Sequence, residues 1–350
     1  MKRPTVTFFL LFLTIICCVI SFLFSEAEAE EYAQEADFLV TINVDMSSHP
    51  DGVPISLWLP YPVSTPFQDV TNVAITGNFA THGIYSEPLF NNMILFASWP
   101  ANMKQRVLKM SFRVKRQERN DTWMLKAKEG CLDRAYVGNF LRDSSVAPLS
   151  PAVVDLSHQI TNGKKTTLQK AKAIYEWVCN NLKRDPNVKG CGCGDVCFVL
   201  ERKVGKCADI HSVFVALLKG AGVPAREVFG LRLPSSGQKD VTNWQHCWAE
   251  FYVPNVGWLV ADPGDYLKAL LEKKLSPSSP EAKRLKKYFF GHVDPFRVRL
   301  SIGRDLILNP PQDSEPLNYF MYPYAEVKGQ PVDYLDYSNF TYSISATRLR

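Results

Sequence analysis

Hydrophobic and polar residues alternate in short runs between residues 35 and 118, and proline, glycine, asparagine and serine separate these runs. Alternation with a period of two predicts strands that bury one face. We therefore expect an antiparallel β-sandwich over residues 30–145, followed by a polar connection that reaches about Ser150. The strand-like runs are DFLVTINVDM, VPISLWLPYP, VTNVAITG, MILFASWP and VLKMSFRVKR.

The pattern changes to a helical one in GKCADIHSVFVALLKGAGVPAR, where apolar residues recur on one side of a helix. Gly222 and Pro224 mark its end, so Cys207 should lie in the first turn. Backbone N–H groups there have no partner within the helix, and the helix dipole favours negative charge. A thiolate at Cys207 would gain from both, which predicts a lowered pKa. The alternatives are a buried structural cysteine or one half of a disulfide.

Two strand-like runs follow, WQHCWAEFYV and GWLVADP, and they carry His246 and Asp262. In a strand, His246 would share a face with two tryptophans, and the opposite face would be small or apolar. If the runs form a hairpin, His246 and Asp262 share a face only with an odd loop length, such as three residues, or with a bulge. We expect one of these. The alternatives are a packed core histidine and an aspartate that begins a turn before Pro263.

A thiol at a helix start, an imidazole and a carboxylate are the groups that a thiol nucleophile, its base and an orienting acid require. His211 lies four residues after Cys207 and could be mistaken for the base. Its ring would lie a full turn inward from the helix start, so we expect a packing or supporting role.

These segments resemble the transglutaminase-like superfamily, in its bacterial exported type, whose core is related to papain-like thiol proteases. The matching blocks are GKCADIHSVFVALLKGAGVPAREV, WQHCWAEFYVPNVGW, the ADP that ends at Pro263, and an upstream helix over residues 168–185. Two departures are Gln245, where many relatives have glycine, and GCGCGDVC before the nucleophile. The resemblance covers about residues 150–265.

The resemblance implies an α+β fold over residues 146–350, in which the nucleophile begins a helix packed on an antiparallel sheet, with a C-terminal strand extension. It implies Cys207 as nucleophile, His246 as base and Asp262 as orienting acid. The reaction would form an acyl-enzyme on a protein or peptide amide and end in crosslinking, deamidation or peptide hydrolysis. No cofactor, metal or nucleic-acid partner is implied.

Two other functions remain open from the residues. A binding or scaffold protein of the cell envelope could retain this shell without turnover. A metal-binding module could use Cys191, Cys193 and Cys197, although their spacing is not that of a standard structural zinc site.

Lys2 and Arg3 precede an apolar run from Thr5 to Phe24. We interpret residues 1–29 as a signal peptide, or alternatively as an uncleaved membrane anchor, since the run approaches the roughly 20 residues that span a bilayer. Both place the body of the chain outside the cytoplasm, in the periplasm or beyond. If Cys207 is a free thiol, six further cysteines remain outside the leader, enough for up to three disulfides. In an exported protein, the closely spaced cysteines of CGCGDVC favour disulfides over a metal site.

The region after Asp262 predicts two helices around a Ser/Pro turn and then strands over residues 296–350. We expect these strands to extend the catalytic sheet or to border its cleft. The net charge of +5 is mild and argues neither for nor against nucleic acid.

Overall fold

The computed structural model describes residues 35–350. Its longer strands are β1 (Glu35–Asp45), β2 (Ile55–Pro60), β3 (Gln68–Gly77), β4 (Thr81–Ser86), β5 (Met93–Trp99), β6 (Val107–Gln117), β10 (Ala225–Arg232), β12 (Gln245–Val253), β13 (Gly257–Ala261), β15 (Arg297–Ile302), β16 (Tyr324–Val327) and β18 (Thr341–Arg348). Short strands of two or three residues complete the order: β7 (Arg119–Asn120), β8 (Lys183–Arg184), β9 (Val204–Gly205), β11 (Gln238–Asp240), β14 (His292–Val293) and β17 (Gln330–Pro331). The α-helices are α1 (Arg134–Val137), α2 (Pro151–Thr161), α3 (Thr167–Asn181), α4 (Val196–Arg202), α5 (Cys207–Gly220), α6 (Pro263–Glu272) and α7 (Pro280–Tyr288).

Two five-stranded antiparallel sheets contain the strands of the N-terminal region, and the predicted α+β class is confirmed. One has the order β11-β18-β1-β6-β3, and the other has the order β17-β16-β2-β5-β4. Alternate residues of β1 and β6, such as Phe38, Val40 and Phe112, are buried in the same core as Leu57 and Leu95 of the second sheet. This alternation is what the sequence pattern of residues 35–118 predicts.

The C-terminal strands differ from the expectation. β15 does extend the catalytic sheet, because it pairs with β10. β18, however, pairs with β1, and β16 pairs with β2, so the later strands complete the sandwich instead. Their alternating burial suits a sandwich strand as well as a catalytic one, which is why periodicity could not assign them to a sheet. The proposed division into domains at about residue 145 stays a prediction.

Apart from the sandwich, the fold contains a four-stranded antiparallel sheet of order β13-β12-β10-β15, which packs against helices. Helix α5 lies between β12 and the helices α2 and α3. Every residue from Cys207 to Leu218 is buried, so α5 is a central helix and not the amphipathic one that its apolar stripe predicts. Its polar residues are accommodated by hydrogen bonds; Ser212 Oγ, for example, donates to the Gly194 carbonyl at 2.7 Å.

The predicted leader, residues 1–29 with the apolar run 5–24, lies outside the described residues. Within residues 35–350, none of the helices has both the length and the apolar character needed to cross a bilayer.

Candidate active site

Cys207 is the first residue of α5, as predicted, and its side chain is 3% exposed. The preceding Lys206 has an extended backbone, and Asp209 Oδ2 accepts a hydrogen bond from the Lys206 N–H at 2.8 Å. This bond fixes the chain where it enters the helix. Cys207 therefore lies where the amide groups and the helix dipole favour a thiolate.

The loop over residues 190–195 folds against the start of α5. Asp209 Oδ1 accepts a hydrogen bond from the Gly194 N–H at 2.7 Å, and the Cys191 carbonyl accepts one from the Ala208 N–H at 2.9 Å. Gly192 and Gly194 have φ angles of +89° and +82°, and a Cβ on Gly192 would lie 2.0 Å from Asp209 Oδ2. Glycine at these two positions thus permits the close approach that brings Cys191 beside Cys207.

The hairpin of β12 and β13 brings His246 and Asp262 to the same face. Val253 pairs with Gly257, so residues 254–256 form a three-residue loop, which confirms the predicted odd length. His246 Nε2 lies 2.9 Å from Asp262 Oδ2. With Nε2 held by the carboxylate, Nδ1 is the ring nitrogen left for proton exchange with a thiol.

Asp262 is completely buried and binds four donors. Besides His246, these are His211 Nε2 at 3.0 Å, the Asp265 N–H at 2.8 Å and Arg297 Nη1 at 2.7 Å. Burial by itself would raise the pKa of Asp262, but the adjacent His246 and His211 outweigh it and hold the pKa well below its usual range. Asp262 therefore remains a carboxylate that can orient both imidazoles.

His211 supports the site from behind. Its Nδ1 lies 3.3 Å from Cys247 Sγ, and its Nε2 contacts Asp262. Because the carboxylate lies between the two histidines, His211 is placed to assist Asp262, which agrees with the supporting role expected from its position in the helix.

Arg297 of β15 is completely buried and binds three aspartates: Asp262, Asp265 at 3.0 Å and Asp294. Arg232 also pairs with Asp265. His246, Asp262 and Asp265 come within 4.8 Å of one another, a spacing that a metal ion could use. The guanidinium of Arg297 already supplies positive charge to both carboxylates, so these residues are suited to orienting His246 without a metal.

The Cys207 thiol faces the thiols of Cys191 and Cys247 and the imidazole of His246. The neighbouring Cys191 thiol and then the Cys247 thiol lower the pKa of Cys207, burial opposes them, and His246 lowers it further; the net result is a pKa well below the usual value. The neighbouring thiols shift the other way: the Cys207 thiolate and burial raise the pKa of Cys191. Cys207 is thus the ionised member of the group.

The expected disulfides are not present among the described residues. All seven cysteines from Cys131 to Cys247 are free. The three in CGCGDVC differ in burial: Cys191 is buried, whereas Cys193 and Cys197 are exposed. Glycine-rich spacing predicts a loop, but it does not determine where the thiols point.

The site opens into a cleft of about 550 Å³ that Cys207, His246 and Gln245 line. Trp244, Tyr322 and Tyr337 form aromatic parts of its wall. Tyr322 and Tyr337 come from the region after β15, so the C-terminal region also borders the cleft. A volume of this size suits a peptide side chain and its flanking backbone.

Sequence reasoning missed Arg297, the cysteines next to the nucleophile and the cations of the cleft. Arg297 could have been suspected, because it stands in the apolar strand run FRVRLSIG, where a buried charge needs partners. The cations of the cleft come from five separate segments, and sequence spacing carries no sign of such convergence; they are Arg184, Lys189, Lys206, Arg232 and Lys268.

The chain belongs to the transglutaminase-like superfamily. The model of that superfamily matches residues 154–263. An uncharacterized protein of Haemophilus influenzae is 32% identical over 323 residues, covering 84% of this chain and 86% of that protein. The uncharacterized protein YebA of Bacillus subtilis is 39% identical over 75 residues, which are 19% of this chain and 10% of YebA. A crystal structure of a proposed cysteine protease from Cytophaga hutchinsonii has a TM-score of 0.56 at 14% identity and covers 91% of this chain and 92% of its own.

Proposed function

We propose that this protein is a thiol enzyme that acts on protein or peptide amides through an acyl-enzyme on Cys207. The observation that carries this proposal is the position of Cys207 at the start of α5, where the helix favours a thiolate, near an imidazole that Asp262 holds at 2.9 Å. The group opens into a cleft. A nucleophile, a base and an orienting acid in mutual contact are the requirements for nucleophilic acyl transfer.

In the first half of the reaction, the Cys207 thiolate attacks the amide carbonyl and a C–S bond forms. The carbonyl electrons move to oxygen, and the backbone N–H of Cys207 is one donor that could stabilise the oxyanion. When the oxyanion collapses, the C–N bond breaks and His246 gives a proton to the departing amine or ammonia. A thioester remains on Cys207.

In the second half, His246 takes a proton from water or from an amine, which then attacks the thioester. The C–S bond breaks, and Cys207 leaves as a thiolate beside the protonated His246. Water gives peptide hydrolysis or deamidation, and an amine gives a crosslink. These outcomes share one intermediate, so the choice depends on what the cleft admits. We also propose a location outside the cytoplasm, on the strength of residues 1–29.

The first experiment is a short pulse of iodoacetamide over a range of pH, with peptide-level mass spectrometry to follow Cys207. We expect rapid labelling that persists below the pH at which a free peptide thiol stops reacting, because the thiolate is stabilised. In His246→Ala the midpoint should move to higher pH. The matched control is His158→Ala, since His158 is exposed on α2.

Labelling no faster than that of a free peptide thiol would contradict the proposal and favour a binding or scaffold protein. The second experiment incubates the protein and its Cys207→Ala variant with peptides that contain glutamine and lysine. A gain of ~1 mass unit indicates deamidation, loss of ammonia with linked peptides indicates crosslinking, and new termini indicate hydrolysis. Activity that persists in Cys207→Ala would also contradict it.

A further inference from the structure

The wall of the Cys207 cleft carries positive charge from several parts of the fold. Within the described part of the chain, no aspartate or glutamate lines this cleft. The cations come from β8, the loop before α4, the residue before α5, β10 and α6, and they are Arg184, Lys189, Lys206, Arg232 and Lys268. Charges of one sign in a cleft concentrate the field and attract ligands of the opposite sign.

The carboxylates that do contact these cations lie outside the cleft. Arg232 pairs with Asp265, which belongs to the buried cluster behind His246. Lys189 meets Asp333 at the surface. Each of these two cations is therefore at least partly neutralised already.

The other three are poorly compensated. Lys268 is 3.7 Å from Glu272, a carboxylate that is 61% exposed. For Arg184 and Lys206, no carboxylate of residues 35–350 comes within ion-pair distance; Lys206 Nζ donates to the Val188 carbonyl at 2.8 Å. Burial lowers the pKa of Lys268, and repulsion from Arg232 and Arg184 lowers it further; Asp265 and Glu272 act in the opposite direction but do not cancel these effects.

We propose that the cleft selects acidic peptides, in which carboxylate side chains flank the amide that Cys207 attacks. The proposal rests on the proposed function and names its substrate class. Arg184 and Lys268 would pair with substrate carboxylates, and Trp244 and Tyr337, both more than a third exposed, would cover the apolar parts of the peptide. Half-buried cations are better placed for this than surface lysines, because water screens them less.

The first test needs no turnover. The rate of alkylation at Cys207 is measured with anionic iodoacetate and with neutral iodoacetamide. The iodoacetate rate divided by the iodoacetamide rate reports the local electrostatic potential. We expect the ratio to fall about tenfold in Arg184→Gln/Lys268→Gln at low salt. The difference in this ratio between the variant and the unchanged protein should vanish at 1 M salt, where the Debye length is about 3 Å.

A matched control is Lys283→Gln/Lys287→Gln, which removes the same charge from exposed positions of α7. Its ratio should equal that of the unchanged protein. His246 contributes to the ratio in every variant, so the comparison between variants is what counts. Equal ratios in the cleft variant and the control would overturn the proposal.

The second test compares glutamine peptides flanked by glutamate with the same peptides flanked by lysine. We expect kcat/KM to favour the acidic peptide about tenfold or more, and the preference to be lost in Arg184→Gln/Lys268→Gln. Equal or reversed preference overturns the acidic substrate class. If neither peptide reacts, the proposed function fails, while the alkylation ratio still decides whether the cleft selects anions.

Discussion

Two groups of cations lie near His246, and they differ in their partners. Beneath the cleft, Arg297 is completely buried and binds Asp262, Asp265 and Asp294. On the cleft wall, Arg184 and Lys268 are half-buried, without an equivalent set of carboxylates. A buried charge must be paired or it is strongly destabilising, whereas a half-buried one keeps enough water to stay unpaired. The first group therefore holds the site together, and the second remains able to bind a ligand.

The largest effect should follow from removing Asp262, the carboxylate that connects the buried group around Arg297 to His246. Asp262→Ala leaves the imidazole without its orienting acceptor, so we expect amide turnover to fall by roughly 10⁴-fold. The pH profile of Cys207 alkylation should also move to higher pH, because the imidazole would no longer be held beside the thiolate. Asp51→Ala, which removes an exposed aspartate that pairs with Lys104, is the control. Turnover within tenfold of normal would remove Asp262 from the mechanism.

Replacing Arg297 and, separately, Arg184 tests whether the two groups of cations contribute differently to the stability of the fold. Arg297→Met leaves three aspartates without their shared partner, so the free energy of unfolding should fall by about 3–5 kcal/mol. Arg184→Met should change it by less than about 0.5 kcal/mol, since that side chain has no such partners. Urea denaturation of both variants measures the contrast. Similar losses in both would show that the cleft cations are structural.

Acid should weaken the buried group around Arg297. Burial opposes ionisation of Asp262, Asp265 and Asp294, but His246, Arg232 and Arg297 respectively outweigh it, and all three pKa values are lowered. The unfolded chain then binds more protons than the folded one, so this contribution is complete above the ordinary pKa of 3.8 and is lost as the pH falls below it. Urea denaturation between pH 7 and pH 2.5 should show the loss. Arg297→Met should flatten it, and an unchanged slope in that variant would contradict the assignment.

The smallest effect should come from Lys268 on the cleft side. Its folded pKa is lowered by burial and by Arg232, so its proton is held less tightly in the folded chain than in the unfolded one. Stability should rise as the pH climbs from that lowered pKa towards 10.5. Lys268→Gln removes this penalty and should raise the free energy of unfolding at neutral pH by a few tenths of a kcal/mol. A clear loss of stability would mean that the ammonium has a stabilising partner.

The sequence carried enough to predict the class of fold and the groups that meet at the site. Local patterns were sufficient for the strands of the sandwich, for Cys207 at a helix start and for the odd loop that aligns His246 with Asp262. Each of these depends on the spacing of near neighbours along the chain. The contact of Cys207 with His246 needed the resemblance as well, because 39 positions of chain separate them.

Long-range arrangements were not available from such patterns. β18 alternates like any half-buried strand, so nothing local assigned it to the sandwich. Arg297 looked like one basic residue among several, and its importance depends on Asp262 and Asp265 from another segment as well as on the nearby Asp294. The cysteines beside Cys207 illustrate the same limit, since their spacing favoured disulfides while the fold keeps all of them free.

The pairing of β18 with β1 has a consequence for biosynthesis. Asn43 and Ser343 lie opposite each other in this pair, 300 positions apart in the chain. During translation β1 must therefore wait for β18 before its sheet can close, and its edge stays open to wrong partners in the meantime. A chain cut before Thr341 would lack the strand that pairs with β1, even though every residue of the cysteine site had been made.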